Sequence, residues 1–519
     1  MDNHTEPQIL ALDVGLIGCQ ASIVSISGVI SDSEFNRIDL IYPYSGGIEL
    51  DPDALWDTII RAMSTIAGRS QLNYGQFVAV CCSVSLDGMI PVDAEGNALR
   101  NASIWNEWRF KKDHFSVFKG WRSTAGMSIK KLKQWAKIHE GENYPGLQEP
   151  AAQLLLFREM YPDLYPKTYK FVSILDYLNF KLTGRFVSTP DSRLTNWVID
   201  SRNPILETFS HDLLRDRGFD ENKINEVVPN SAVIGELQQG LAESTRLPVG
   251  MKVVAGAMTG ITSILGAGAV DDFQPFYYLG SSSWIEVHLP DGNWRSTGAI
   301  RLNPSAIPGR QILSSVQPAA TVNLNYLRDM VFFPVDELTG ALPPEDTFQI
   351  MDRMAAKSPP GSNGLLYIPL LKGESGYSGS EHGAAALLNL TLSHSRSDII
   401  RAVMEGVALN TRRILAPFEK SIDRKFTRLN MAGGGAKATV WCQIFADILN
   451  IPIRQISDPG NVNSRGAAVL AAIGLGYLSY EDAARAVQYQ LVFSPKEENR
   501  DLYDSMFSKY SAHYRKNLH

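Results

Sequence analysis

The chain has 519 residues, 44% hydrophobic and 20% charged, and its 49 Lys plus Arg against 55 Asp plus Glu leave a formal charge of -6. That length suits about two to four domains of ordinary size. The slight acidity argues against nucleic-acid binding, which needs a basic face, and 41 Gly and 27 Pro are too near background for collagen-like repeats or disorder.

Met1–Gln8 is polar and acidic, without the basic and apolar parts of a leader. No apolar run approaches the ~18 residues of a membrane span; the best, Ala467–Leu478, is broken by Gly474 and Gly476. Cys19, Cys81, Cys82 and Cys442 form no CxxC pair and have no metal-ligand spacing, so they read as buried thiols in a reducing compartment. The expectation is a cytoplasmic protein that binds neither membrane nor nucleic acid.

Ile9–Ile26 reads as two strands around a tight turn at Gly15-Leu16-Ile17-Gly18. Pro52–Ala67 follows with helical periodicity, placing Leu55, Trp56, Ile59, Ile60, Met63 and Ile66 on one face. Phe77–Ser83 is a buried strand, Gly88–Val92 another, and Asp93–Gly96 a turn; helical patterns dominate from about Ser128 to Gly184. Val253–Gly256 leads into a small-residue helix near Ile261–Ala267. Phe276–Leu279, Gly280-Ser281-Ser282-Ser283 and Trp284–Leu289 then repeat the opening strand–turn–strand theme. One device used twice predicts two similar units, 1–248 and 249–519, meeting near Pro248.

Farther on come a helix at Ser397–Ile414, a strand at Arg428–Ala432 and a helix at Thr439–Leu449. The turn Gly433-Gly434-Gly435-Ala436-Lys437 joins the last two. Its glycines admit a ligand to the backbone, and the helix N-terminus offers N–H groups to an anion. Locally three readings fit: a ligand-free turn, a nucleotide site of a two-lobed phosphotransferase, or a dinucleotide site using Gly433-x-Gly435-x-x-Ala438 and Asp458. A Walker A loop does not fit, since no Gly-Lys-Ser/Thr stands at the required offset.

Taken in order, the markers resemble the FGGY family of carbohydrate kinases, similar to xylulose, glycerol and ribulose kinases. They are Leu12–Gly15, Ser83–Gly88, Ile104–Arg109, Asp176–Leu178 with Leu182–Gly184, Asp191–Thr195, Arg401–Gly406, Gly433–Lys437 with Trp441, Gln443, Ala446 and Asp447, and Arg465–Ala468. The resemblance runs from Leu10 to about Leu478. It implies an α/β protein of two actin-like (ribonuclease H-like) domains with substrates in the cleft between them, and so disfavours the dinucleotide reading. It also implies a sugar or polyol substrate, ATP and Mg²⁺ as cofactors, and, by analogy with relatives that are often dimers, a homodimer.

The same resemblance assigns roles. Asp13 would hold Mg²⁺ through water. Gly15, the turn Gly280-Ser281-Ser282, and Gly433, Gly434, Gly435 and Lys437 would line the nucleotide. Asp87, Trp105, Glu107 and Arg109 would line the sugar, the carboxylates accepting hydrogen bonds from adjacent hydroxyls. At the chemistry, however, the chain departs from the family. After Gly15 the family supplies two hydroxyl residues and a cation, where this chain has Leu16, Ile17 and Gln20. The family's base carboxylate falls at Thr259, and no Asp or Glu occurs between Lys252 and Ala269. A Thr hydroxyl accepts no proton at neutral pH, and losing a general base costs about 10²–10⁴ in rate. The expectation is a pseudokinase that binds sugar, nucleotide or both. The alternatives are a working kinase with a rewired site, with Asp87 as a substitute base, and a purely structural subunit.

Overall fold

The computed structural model describes residues 6–516 except 44–46, 70–75, 87, 105–122, 125–126, 129–153, 155–156, 193–219, 293, 298, 333–343, 345 and 374–382. Asp87, Trp105, Glu107 and Arg109, the expected sugar contacts, lie outside the described residues.

The first lobe opens with three antiparallel strands, β1 (Gln8–Gly15), β2 (Gly18–Ser25) and β3 (Ile30–Arg37). Helix α1 (Pro52–Arg69) buries the stripe Leu55, Ile59, Met63 and Ile66 against this sheet. β4 (Phe77–Val84) then pairs parallel to β1. A strand covered on both faces reads as a continuous apolar run rather than an alternation, and Phe-Val-Ala-Val-Cys-Cys has that form. Helix α2 (Ile174–Thr183) starts at a capping box formed by Ser173 and Asp176 and ends on Gly184, whose φ of 78° takes the left-handed region that a glycine tolerates. β5 (Val233–Glu236) and β6 (Lys252–Met258) complete a sheet of order β5-β6-β4-β1-β2-β3.

Helix α3 (Thr259–Gly266) leads to the second lobe, whose strands β7 (Phe276–Leu279), β8 (Ser283–Pro290), β9 (Ile300–Pro304) and β10 (Arg310–Gln317) are antiparallel neighbours. The long α4 (Arg396–Ser421), β11 (Leu429–Ala432), α5 (Thr439–Leu449), β12 (Ile453–Ile456), α6 (Val462–Gly474) and β13 (Tyr489–Phe493) follow. The sheet order is β9-β10-β8-β7-β11-β12-β13.

Stripped of edge strands, the sheets are β3-β2-β1-β4-β6 and β10-β8-β7-β11-β12, each with two antiparallel steps followed by two parallel ones. The doubled hairpin of the sequence is therefore a doubled sheet. The expected boundary at Pro248 is displaced, because β6 is the parallel partner of β4 and belongs to the first lobe. The pattern expected to open the second half closes the first, and this pairing across about 170 residues leaves no local trace.

Helices α3 and α6 lie between the sheets in a shared apolar layer that includes Ile9, Ala11, Cys81, Ile261, Ile264, Phe276, Val462 and Leu470. The two helices touch backbone to backbone. A Cβ on Gly266 would lie 1.9 Å from the Val462 carbonyl oxygen, and one on Gly466 would lie 1.8 Å from that of Thr262. The four cysteines are free and buried, as the sequence implies. Among the described residues, no helix is long and apolar enough to cross a membrane.

Candidate functional site

The topology puts two equivalent hairpin turns and the glycine loop at the ends of the sheets' central strands. In the first lobe, Gly15 and Gly18 pair across a two-residue turn whose tip, Leu16 and Ile17, is 42% and 71% exposed. Gly18 is required by packing, since a Cβ there would lie 2.4 Å from the Phe35 ring. Gln20, at the expected cation position, donates its amide to Asn461 Oδ1 at 2.6 Å, so it ties the first lobe to the segment entering α6. Nearby, Ser22 donates to Ser464 (3.2 Å) and Arg465 Nε donates to the Gly28 carbonyl (3.1 Å).

In the second lobe the turn is closed by the Gly280 N–H donating to the Ser282 carbonyl at 2.9 Å. The carbonyls of Gly280 and Ser281 accept from the N–H groups of Thr321 and Ala320, both at 2.9 Å. Ser281 is exposed at the tip. The glycine loop sits against this hairpin: Gly433 has φ 98°, and a Cβ there would lie 2.6 Å from the Leu279 carbonyl oxygen. A Cβ on Gly435 would meet the Leu279 side chain at 2.6 Å and Thr321 at 2.8 Å. Gly434 has open space, and Lys437 is exposed with its stem beside Gly460. Gly280, Ser281, Ser282, Gly433, Gly434 and Gly435 thus form one cluster, with Lys437 one turn away.

Asp13 lies two residues before the first turn, paired with Gln20 on β2 and Ser83 on β4. Burial pushes its carboxyl up to about 6, an effect partly offset by hydrogen bonds from Asn463 and Ser83. Asn463, at the start of α6, donates Nδ2 to Asp13 Oδ2 at 3.1 Å, while its own Oδ1 is buried with no hydrogen-bond partner among the described residues. No group of three or more His, Cys, Asp or Glu suited to a metal occurs among the described residues. A Mg²⁺ that keeps most of its waters needs only one or two protein oxygens. Asp13 with the orphaned Asn463 amide oxygen beside it fits that ion.

Tyr278, on β7, closes the far side of this group. Burial, with the Asp13 charge added, pushes its hydroxyl up to about 12 against a hydrogen bond from Asn463. Its ring stacks on Trp284 at 4.1 Å between centroids and 13° between planes.

Thr259 begins α3, 5% exposed, and its Oγ1 is buried with no hydrogen-bond partner among the described residues. The residue before it is fixed by Asp191, which accepts from the Met258 N–H at 2.6 Å and from Asn230 at 2.7 Å. Both Asp191 oxygens are thereby committed to holding the strand end. Opposite α3 stands Glu286, in the middle of β8 and 6% exposed. Its Oε2 accepts the Trp284 indole N–H at 3.1 Å, and a Cβ on Gly260 would lie 3.1 Å from Oε1. Burial holds this carboxyl well above the usual carboxylate range.

Asp13, the two turns and the glycine loop, expected from the sequence, lie at the ends of the central strands; Asn463 and Glu286, which the structure places near them, were not expected. Glu286 had one legible signal: with Trp284 and His288 it makes three polar-tipped residues at alternate positions of an otherwise aliphatic strand. Asn463 had none, since its partner is 450 positions away. A separate cavity of about 680 Å³ opens on the second lobe beside Trp294, Val316, Arg413 and Tyr514, and no expected site residue lines it.

Two domain models match the chain: the N-terminal domain of the FGGY family of carbohydrate kinases over residues 8–266, and the C-terminal domain of that family over 309–475. The chain is 26% identical over 530 residues to an autoinducer-2 kinase of Enterobacter sp. (strain 638), covering 98% of this chain and 94% of the relative. It is 22% identical over 510 residues to a xylulose kinase of Staphylococcus xylosus, covering 98% and 99%. Among solved structures, a ligand-bound xylulose kinase from Lactobacillus acidophilus superposes with a TM-score of 0.79 at 19% identity, covering 98% of each chain. Plasmodium falciparum glycerol kinase with ADP superposes with a TM-score of 0.78 at 15% identity, again covering 98% of each. These similarities give the fold as two domains of the actin-like ATPase type.

Proposed function

The chain belongs to the FGGY family of carbohydrate kinases, and from that premise we propose that its cleft binds a sugar or polyol together with a nucleotide, while phosphoryl transfer at neutral pH is strongly impaired. The observation that carries this reading is Thr259: the start of α3 presents a buried, unpartnered hydroxyl where the family resemblance calls for a carboxylate. Phosphoryl transfer to an alcohol depends on positioning, charge neutralisation and a group to take the hydroxyl proton. At this helix terminus the proton acceptor is missing.

Binding is supported from the second lobe. The turn Gly280–Ser282 and the loop Gly433–Gly435 pack on one another, leave backbone exposed, and keep hydroxyls at the tip. Backbone N–H groups in such turns cradle phosphate. Asp13 and Asn463 would hold Mg²⁺, which when bound neutralises phosphate charge. The side chains of Leu16 and Ile17 offer no hydrogen bond where a γ-phosphoryl group needs donors, so stabilisation of its developing charge is weakened. Asp87, Trp105, Glu107 and Arg109 remain the proposed sugar contacts, and the relatives' names make d-xylulose a reasonable first probe. A homodimer and a cytoplasmic location complete the proposal.

The test is a thermal-shift titration with Mg–ATP and a polyol panel, run beside an ADP-release assay. A ligand at about 100 times its dissociation constant stabilises by about 2.7 kcal/mol. A shift without ADP release at pH 7 supports the reading. Rapid sugar-dependent ADP release at pH 7 refutes the impairment, and no shift with any ligand refutes the binding.

A further inference from the structure

Glu286 is a buried carboxyl that the proposed function leaves unused. Alternate residues of β8 face opposite sides: Ile285 and Val287 enter the second lobe's own core, whereas Glu286 points toward the interlobe layer that contains α3. A carboxylate buried there is costly unless it is paired or hydrogen-bonded, and the one hydrogen-bond partner of Glu286 among the described residues is the Trp284 indole. Its surroundings are arranged to aim it. Trp284, locked by stacking on Tyr278, holds Oε2, so Oε1 is directed at the first turn of α3. Oε1 abuts Gly260, where a Cβ would lie 3.1 Å away, and the neighbouring Thr259 hydroxyl is buried with no hydrogen-bond partner among the described residues.

The geometry points to Glu286 as the proton acceptor for an incoming hydroxyl, supplying from the second lobe the carboxylate that Thr259 lacks. This inference rests on the cleft being a sugar and nucleotide site. In the step, the hydroxyl oxygen bonds to the γ-phosphorus of ATP as the bond from that phosphorus to the β,γ-bridging oxygen breaks. ADP leaves with the electron pair, and the hydroxyl proton passes to the Glu286 carboxylate.

The same burial raises the pH at which this carboxyl becomes a base. Ionisable groups on the surrounding strands and helices are Tyr277 and Tyr278 on β7, His288 on β8, Arg301 on β9, Arg310 on β10 and Arg465 on α6; α3 carries none. Of these, His288 is held neutral by burial, its pKa lowered to about 4, with Nδ1 bonded to the Ala269 carbonyl. Arg310 pairs with Asp272 (3.0 Å), and Arg465 donates to three backbone carbonyls. Burial, opposed only by the Trp284 hydrogen bond, raises the Glu286 carboxyl well above the usual carboxylate range, and only its ionised form accepts a proton.

The experiment measures ADP release from Mg–ATP by the full chain between pH 6 and 9.5, with d-xylulose and with water alone as acceptor. The wild type should rise by about tenfold per pH unit until Glu286 is ionised. Glu286→Gln should flatten the profile and lower the rate at pH 9 by about 10²–10⁴-fold. Glu286→Asp, a second variant should the first fold poorly, should keep the slope at a lower rate. Thr259→Asp placed on Glu286→Gln should restore turnover with an acid limb at lower pH. A flat wild-type profile, including one with no ADP at any pH, or a Glu286→Gln enzyme as fast as wild type at pH 9 overturns the assignment. Thermal shift by Mg–ATP on the same samples separates the failures: a shift with a flat profile removes the role of Glu286 alone, whereas no shift removes the binding reading beneath it.

Discussion

The hairpins β1–β2 and β7–β8 occupy the same place in two copies of one sheet, yet their tips differ in kind. The first presents Leu16 and Ile17 to solvent; the second presents Ser281 and Ser282. Both turns are built tightly, by Gly18 under the Phe35 ring and by the Gly280–Ser282 hydrogen bond, so the difference is not one of backbone. It lies in what the tips can donate. One tip carries side-chain hydroxyls, and the other carries only aliphatic side chains. The duplicated frame therefore constrains the strands far more strongly than the turns, because a strand side chain is fixed by its sheet neighbours and a tip side chain answers only to the ligand.

The shared frame gives the largest expected effect. Gly466→Ala forces a Cβ into the Thr262 carbonyl, in the helix layer common to both lobes. Overpacking usually costs about 1–3 kcal/mol, and a backbone clash with no side chain to yield belongs at the top of that range. Urea unfolding should show a loss of about 3 kcal/mol; a loss below about 1 would mean that the helices can separate, and the frame would be softer than described.

The next effect exchanges the tips. Ser281→Leu with Ser282→Ile should abolish the stabilisation by Mg–ATP, a loss of about 2.7 kcal/mol at 100-fold excess over the wild-type dissociation constant. The reverse exchange, Leu16→Ser with Ile17→Ser, should tighten Mg–ATP by about tenfold, or about 1.4 kcal/mol. If the second-lobe exchange leaves the shift intact, the contrast between the hairpins has no functional meaning. The smallest effect concerns the link between lobes: Gln20→Ala removes the bond to Asn461, and with it about 1 kcal/mol of stability, read by the same unfolding experiment.

A stability profile sharpens the picture of Glu286. Its carboxyl is raised in the folded state, so its contribution is full below the unfolded value near 4.5 and is lost as pH rises toward the folded value. Relative to Glu286→Gln, the wild type should lose stability as pH rises above about 4.5, and melting curves that stay parallel with rising pH would contradict the burial.

Much of the frame was legible because local pattern determines it. Strand-forming runs on either side of small-residue turns mark β1, β2, β7 and β8, the i, i+3, i+4 stripe of Leu55, Ile59, Met63 and Ile66 marks α1, and the apolar run at Phe77 marks β4. The lobe boundary was not legible, since β6 belongs to the first sheet through pairing with β4. The site divides the same way. Asp13 and the glycine loop announce themselves in consecutive residues, whereas Asn463 reaches Asp13 across 450 positions and Glu286 reaches Gly260 only after two lobes have folded together. Reading the sequence alone, the absence of a carboxylate near Thr259 looked complete. In three dimensions the Glu286 carboxyl lies against the next residue, Gly260.

The central claim is that turnover at neutral pH is limited by the group at the start of α3. The most direct test compares wild type with Thr259→Asp in d-xylulose-dependent ADP release from Mg–ATP at pH 7. The account predicts a wild-type rate near background and a gain of about 10²-fold or more in the variant. Equal rates in the two proteins, both well above background, would contradict it.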